Sequence, residues 1–200
     1  MQILSTFAFV IITITSMVNL IIRNWRINAV ALAVQYLAAF ILVNLSWPIG
    51  MAVIKLIVGW MAAAAIALSG MRQNQNNPPT EPTASFLFRG LAGLLVILVI
   101  FIISPRMQES IFPDLDLVLV QAGLMLLGMA LMQLGTNADP HLNIKSLLSL
   151  LSGFEVVHAA LERSTLLTGM LAIVNLSLAL AGVYFITQTS TEGGSEEKAP

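Results

Sequence analysis

The sequence predicts an all-α protein, a polytopic bundle of about seven transmembrane helices. Three observations carry that prediction. Of its 200 residues 58% are hydrophobic and only 10% are charged, and the mean hydropathy is +0.89, far outside the range of soluble domains. The apolar residues gather into runs of about 18 or more, the length that crosses roughly 30 Å of hydrocarbon. Polar, proline-rich or charged stretches separate those runs.

Taken in order, the first run is Gln2 to Ile22. It has no basic segment ahead of it and no small-residue cleavage site before Arg23, so it reads as a retained helix rather than a signal peptide. The second is Ile27 to Leu45. The third, Ile49 to Gly70, follows the turn Ser46-Trp47-Pro48. The fourth is Phe86 to Ile103, the fifth Leu115 to Leu134, the sixth Ile144 to Leu161 and the seventh Leu166 to Thr187. Residues 1–70 thus form a first three-helix unit, residues 86–104 a linking helix and residues 114–188 a second three-helix unit. Between them, residues 71–85 contain RQNQNNPPTEPTAS, whose amides and prolines build no core and predict a flexible polar linker. The acidic stretch 189–200 predicts a disordered tail.

Lys and Arg collect on one side of such a bundle, and cytoplasmic loops hold that excess. An N-out, C-in arrangement puts Arg23, Arg26, Arg72, Arg89, Lys145 and Lys198 inside against Arg106 and Arg163 outside, with Glu109, Asp114 and Asp116 also outside. The expected location is a prokaryotic cytoplasmic membrane, with the lipid bilayer as the first partner. The nine Lys and Arg nearly balance the ten Asp and Glu, so no basic field exists to bind nucleic acid. With no cysteine there is no disulfide, thiolate metal site, iron–sulfur ligation or cysteine nucleophile. No cofactor or metal is expected: the sequence has no Gly-rich phosphate loop and only two scattered histidines. Enzyme activity of the chain alone is therefore the weakest reading.

Against this background the segment SLLSGFEVVHAALE, Ser149 to Glu162, stands out. At helical spacing Glu155, His158 and Glu162 share one stripe. A carboxyl at the depth of Glu155 costs several kcal/mol if it faces lipid, so it is expected to face protein or water and to mark a proton or ion path. Glu162, beside Arg163, reads as a solvated surface pair. For His158 a core histidine bonded to a neighbouring helix and a relay role are both open. Lys55 lies about 9 Å into the third span at 1.5 Å per residue. It either snorkels to the surface near Trp47 or faces inward near Gln35. An inward Lys55 can pair with Glu155 only if spans three and six touch. Asn19, Asn44 and Asn175 are expected to bond between helices, and the recurrent glycines to allow close helix approach.

The two three-helix units echo one another. Each has a cationic loop after its first helix and a glycine-led start to its third, GMAVI at Gly50 and GMLAI at Gly169, the pattern expected of a parallel repeat.

The run LNIKSLLSLLSGFEVV, Leu142 to Val157, resembles the second helix of the K subunit of NADH-quinone oxidoreductase (complex I), where a basic residue and Asn precede an apolar run ending in Gly-Leu-Glu. Here it ends in Gly153-Phe154-Glu155. The chain is also similar to the E subunit of hydrogenase-4-type complexes and the C subunit of multisubunit cation/proton antiporters. The resemblance covers about a third of the chain and is echoed by RNWRINAVALAVQYL, Arg23 to Leu37. It implies a non-redox membrane subunit with antiporter-like neighbours, in which Glu155 takes part in proton translocation. Lys55, His158 and Gln35 are candidate helpers. The family's second glutamate has no counterpart in TGMLAIVNLSLALAG, where Asn175 is the nearest polar residue, and Gln35 stands near the glutamate position of the N-terminal echo without being able to ionise. The alternative is a structural or assembly protein with no transport of its own.

Overall fold

A computed structural model describes residues 2–72, 83–137, 139–162 and 164–196, and the described residues contain seven helices and no strand. The helices are α1 (Gln2–Ile21), α2 (Trp25–Ser46), α3 (Ile49–Arg72), α4 (Thr83–Ile111), α5 (Leu117–Thr136), α6 (Pro140–Leu161) and α7 (Thr165–Glu196). All seven are long and apolar enough to cross a membrane. The chain is thus an all-α bundle of seven membrane-compatible helices, consistent with an integral membrane protein.

Local chemistry sets the helix ends. Asn24, Asp116 and Asp139 cap α2, α5 and α6, each side chain accepting from a backbone N–H two residues on, which satisfies a donor that the first turn leaves free. Asp139 is followed by Pro140, whose missing N–H costs nothing in the first turn. Together they start α6 ahead of Ile144, where the apolar run begins, and so draw Lys145 a full turn into the helix. At α2, α3, α4 and α7 the differences are also extensions, whereas α1 stops at Ile21 and α5 is shifted along the chain to Leu117–Thr136. The fourth helix runs past Ile103 and Pro105 to Ile111, held in its polar last turns by Ser110 Oγ donating to the Arg106 carbonyl. The seventh continues beyond Thr187 to Glu196, so much of the stretch expected as a disordered tail is helical, while residues 197–200 lie outside the described residues. Of the expected linker, residues 83–85 join α4 and residues 73–82 lie outside the described residues.

Packing follows a simple scheme. Within the first unit α1 packs on α2 and α2 on α3; within the second α5 packs on α6 and α6 on α7. Across the units α1 meets α5, α2 meets α6 and α3 meets α7. Each helix therefore rests on its numerical counterpart, and α4 lies at one edge against α5 and α1. A groove bringing Gln2 and Ser5 of α1 to Asp116 and Leu119 of α5 shows that these two helices start at the same end.

Glycines permit the closest approaches. A Cβ on Gly153 of α6 would come within 2.7 Å of the Leu126 Cβ and 3.1 Å of the Gly123 carbonyl oxygen on α5. A Cβ on Gly59 of α3 would collide with the ring of Tyr36 on α2, and one on Gly182 of α7 with the side chain of Ile144 on α6. Residues such as Ala8, Ile12, Leu42, Met125, Leu126 and Met129 fill the interior, while α4 carries a long exposed apolar surface that includes Leu91, Leu94, Leu95 and Leu98, as expected for a helix facing hydrocarbon.

Candidate functional site

The sequence left open where Lys55 points. In the structure α3 and α6 touch, and the Lys55 ammonium donates to Glu155 Oε2 at 2.5 Å. Both residues are buried, with side-chain exposures of 7% and 6%. The pair is possible because α3 and α6 both lean on α7. An ammonium and a carboxylate withdrawn from water are each costly, and their attraction offsets that cost only when the geometry is good.

The pair sits beside a cavity of about 20 Å³ lined by Trp47 at the α2–α3 turn, by Ile54 and Val58 of α3, and by Thr168, Leu171 and Asn175 of α7. That volume suits a single water molecule, which needs about 10–15 Å³ and two to four polar partners. Trp47 is only 7% exposed, and its indole Nε1 has no partner among the described residues. Asn175 is tied down from its other side, since the Tyr36 hydroxyl donates to its Oδ1 at 3.1 Å. This bond links α2 to α7, and the glycine at position 59 makes room for the Tyr36 ring.

A second cluster lies nearer the start of α6. The Asn19 amide on α1 donates to Gln35 Oε1 on α2 at 3.1 Å, and Ser149 Oγ on α6 donates to the same oxygen at 3.4 Å. One turn nearer the start of α6, Lys145 Nζ donates to the Asn19 carbonyl at 2.8 Å. Ser146 Oγ donates to Gln133 Oε1 on α5 at 3.1 Å. Four helices thus meet in a polar interior of amides, hydroxyls and one lysine.

Of the residues singled out in the sequence, Glu155 and Lys55 come together, and Gln35 belongs to the neighbouring amide cluster rather than to Lys55. His158 takes another direction: it stacks near the Phe154 ring at 5.7 Å between centroids, and its Nε2 lies 3.9 Å from Glu162 Oε2. Glu162 itself is exposed, and Arg163 lies outside the described residues. Two of the three in-span asparagines bond between helices as expected, Asn19 to Gln35 and Asn175 to Tyr36. The Asn44 Oδ1 has no protein partner. Sequence reasoning passed over Tyr36, Ser149 and the depth of Lys145. The signal for the last two was present: Lys145, Ser149 and Ser152 follow one another at helical spacings of four and three.

Among the described residues no group of three or more His, Asp or Glu is placed to hold a metal ion. Comparison of the chain with family models, curated proteins and solved structures finds no match.

Proposed function

We propose that this chain is a non-redox integral membrane subunit of a complex I-like, hydrogenase-like or antiporter-like assembly, and that it contributes to proton or cation translocation through Glu155. The observation that supports this reading best is the ion pair of Lys55 with Glu155, held inside a helix bundle beside a cavity for one water. A purely structural buried pair is often no more stable than an apolar replacement, so ionisable groups within membrane helices mark transport paths by default.

The chemistry is an exchange of partners. A proton reaching Glu155 neutralises the carboxylate and removes the attraction that holds the Lys55 ammonium. Lys55 can then release its own proton to a water in the adjoining cavity, after which the Glu155 proton passes to the neutral amine, so that carboxylate and ammonium re-form and the pair closes again. The Tyr36–Asn175 bond holds the α7 wall of that cavity in place. Antiporter-like neighbours in the same membrane are the partners this scheme requires, because the chain supplies a way station and no source of energy.

The test is Glu155→Gln in the purified assembly reconstituted into vesicles. Glutamine keeps the size and polarity of the side chain and removes its proton. Assembly is expected to survive, and proton pumping to fall at least tenfold. Pumping at the parent rate in a correctly assembled variant would discard the reading and leave the scaffold alternative, for which the close glycine contacts of α5 and α6 speak.

A further inference from the structure

Lys145 is a buried charged residue that the exchange at Glu155 does not use. Its side chain is among the largest fully buried ones in the chain, at 1% exposure. Among the described residues the only hydrogen bond it makes is to the Asn19 carbonyl, and no carboxylate forms an ion pair with it. The charged and titratable groups around it are few. Asp139 acts on it from the start of its own helix at longer range, His141 lies one turn back on the same face, and Arg23, in the turn between α1 and α2, has its guanidinium on the Asn137 amide oxygen at 3.2 Å. From α2 and α5 the facing polar groups are Gln35 and Gln133, and neither ionises.

On α1, α2 and α6 other buried polar atoms also lack partners among the described residues. They are Ser16 Oγ and Asn19 Oδ1 on α1, both amide atoms of Asn28 on α2, and His141 Nε2 and Ser152 Oγ on α6. Asn19, Asn28 and Ser152 are each at least 98% buried. Buried polar groups are normally satisfied by protein or by internal water. Unsatisfied donors and acceptors on three packed helices therefore call for internal water.

The placement along α6 is what gives this region a use. Lys145 and Glu155 are about 15 Å apart along the helix at 1.5 Å rise per residue, and Ser149 and Ser152 stand between them at steps of four, three and three residues, each of which a water can bridge. Lys145 lies toward the end of the bundle where α1 stops and α2 begins, whereas Lys55 lies toward the other end, near Trp47. We propose that Lys145 is a second proton-carrying group of this chain, exchanging protons with the Lys55–Glu155 pair through Ser149, Ser152 and intervening water. The amine takes a proton from water at its own end of the bundle and passes it inward. The Asn19 carbonyl holds it in line, and Gln35 fixes the Ser149 hydroxyl at the next step.

The inference rests on the transport reading, and its test separates the two. In protein labelled with nitrogen-15 at lysine and held in lipid nanodiscs, solid-state NMR reads transfer of magnetisation from water to each lysine Nζ, with Lys145→Met assigning the signal. A strong water contact at the Lys145 Nζ is expected, and a dry Nζ overturns the proposal whatever the transport result. In the reconstituted assembly, Lys145→Met is expected to lower proton flux at least tenfold, as Glu155→Gln does, and Lys145→Arg, which keeps the charge but does not give up its proton, to assemble without restoring flux. Flux lost in Glu155→Gln but kept in Lys145→Met overturns the role of Lys145 and leaves the transport reading standing. Flux kept in both removes the transport reading itself, and with it the relay.

Discussion

The residue that decides most here is Lys55, because its two readings lead to different proteins. A snorkelling lysine would leave Glu155 to find water or another partner; the inward lysine makes a closed ion pair. Sequence showed that both charges lie deep, because depth follows from position in an apolar run. It could not show that they meet, because that depends on which helices pack together. The energetics are testable. Lys55→Met leaves a carboxylate buried without its counter-ion, and breaking a buried pair from one side costs about 3–5 kcal/mol. Lys55→Met combined with Glu155→Gln leaves no stranded charge, so we expect the double variant to regain more than half of that loss. Denaturant unfolding in detergent micelles measures the cycle, and purely additive losses would show that the two side chains do not interact in the folded protein. His158 makes the opposite point. It shares the helical stripe of Glu155, yet its ring rests near Phe154 and reaches for Glu162, so common spacing on one helix did not produce a common site.

Among elements, α6 carries the site and its neighbours aim it. Its start was misread by one turn, because hydropathy marks where apolar residues begin whereas the helix begins at its cap, Asp139 followed by Pro140. That single turn is the difference between Lys145 as a loop cation and Lys145 as an interior one. The glycines were legible as small residues but not as particular contacts. Gly153 stands two residues before Glu155, and the backbone of α5 passes so close that any side chain there must displace it. We expect Gly153→Val to force α5 and α6 apart, with a loss of about 1–3 kcal/mol in unfolding free energy, the usual cost of overpacking, and with a fall in any Glu155-dependent flux. Gly50, around which an added Cβ meets nothing within 4 Å, is the control: Gly50→Ala is expected to melt within about 0.5 kcal/mol of the parent, the range for substitutions away from packed features.

For the whole molecule, α1 packs on α5, α2 on α6 and α3 on α7, and if all seven helices cross the membrane the odd number of crossings puts the two chain ends on opposite sides. The short letter match of GMAVI with GMLAI could not by itself establish a packing scheme, since a repeat is recognised by the contacts it makes and only some of these depend on identical residues. The distribution of Lys and Arg predicts that the end where α1 stops faces the cytoplasm. The absence of cysteine from the sequence makes it accessible to single-cysteine labelling without a background to remove. Glu109 lies at the end of α4 on the side of the acidic loop, and Gln188 lies near the end of the apolar part of α7, and both are exposed. With the N-terminus outside, Glu109→Cys in intact cells is expected to react with a membrane-impermeant maleimide, whereas Gln188→Cys reacts only after the membrane is opened. The reverse pattern would invert the bundle and turn the Lys145 end outward, so that the same file of polar groups would carry protons from the outside toward Lys55. Reaction of both residues in intact cells would mean an even number of crossings between them and would break the seven-span topology on which the depth of Glu155 depends.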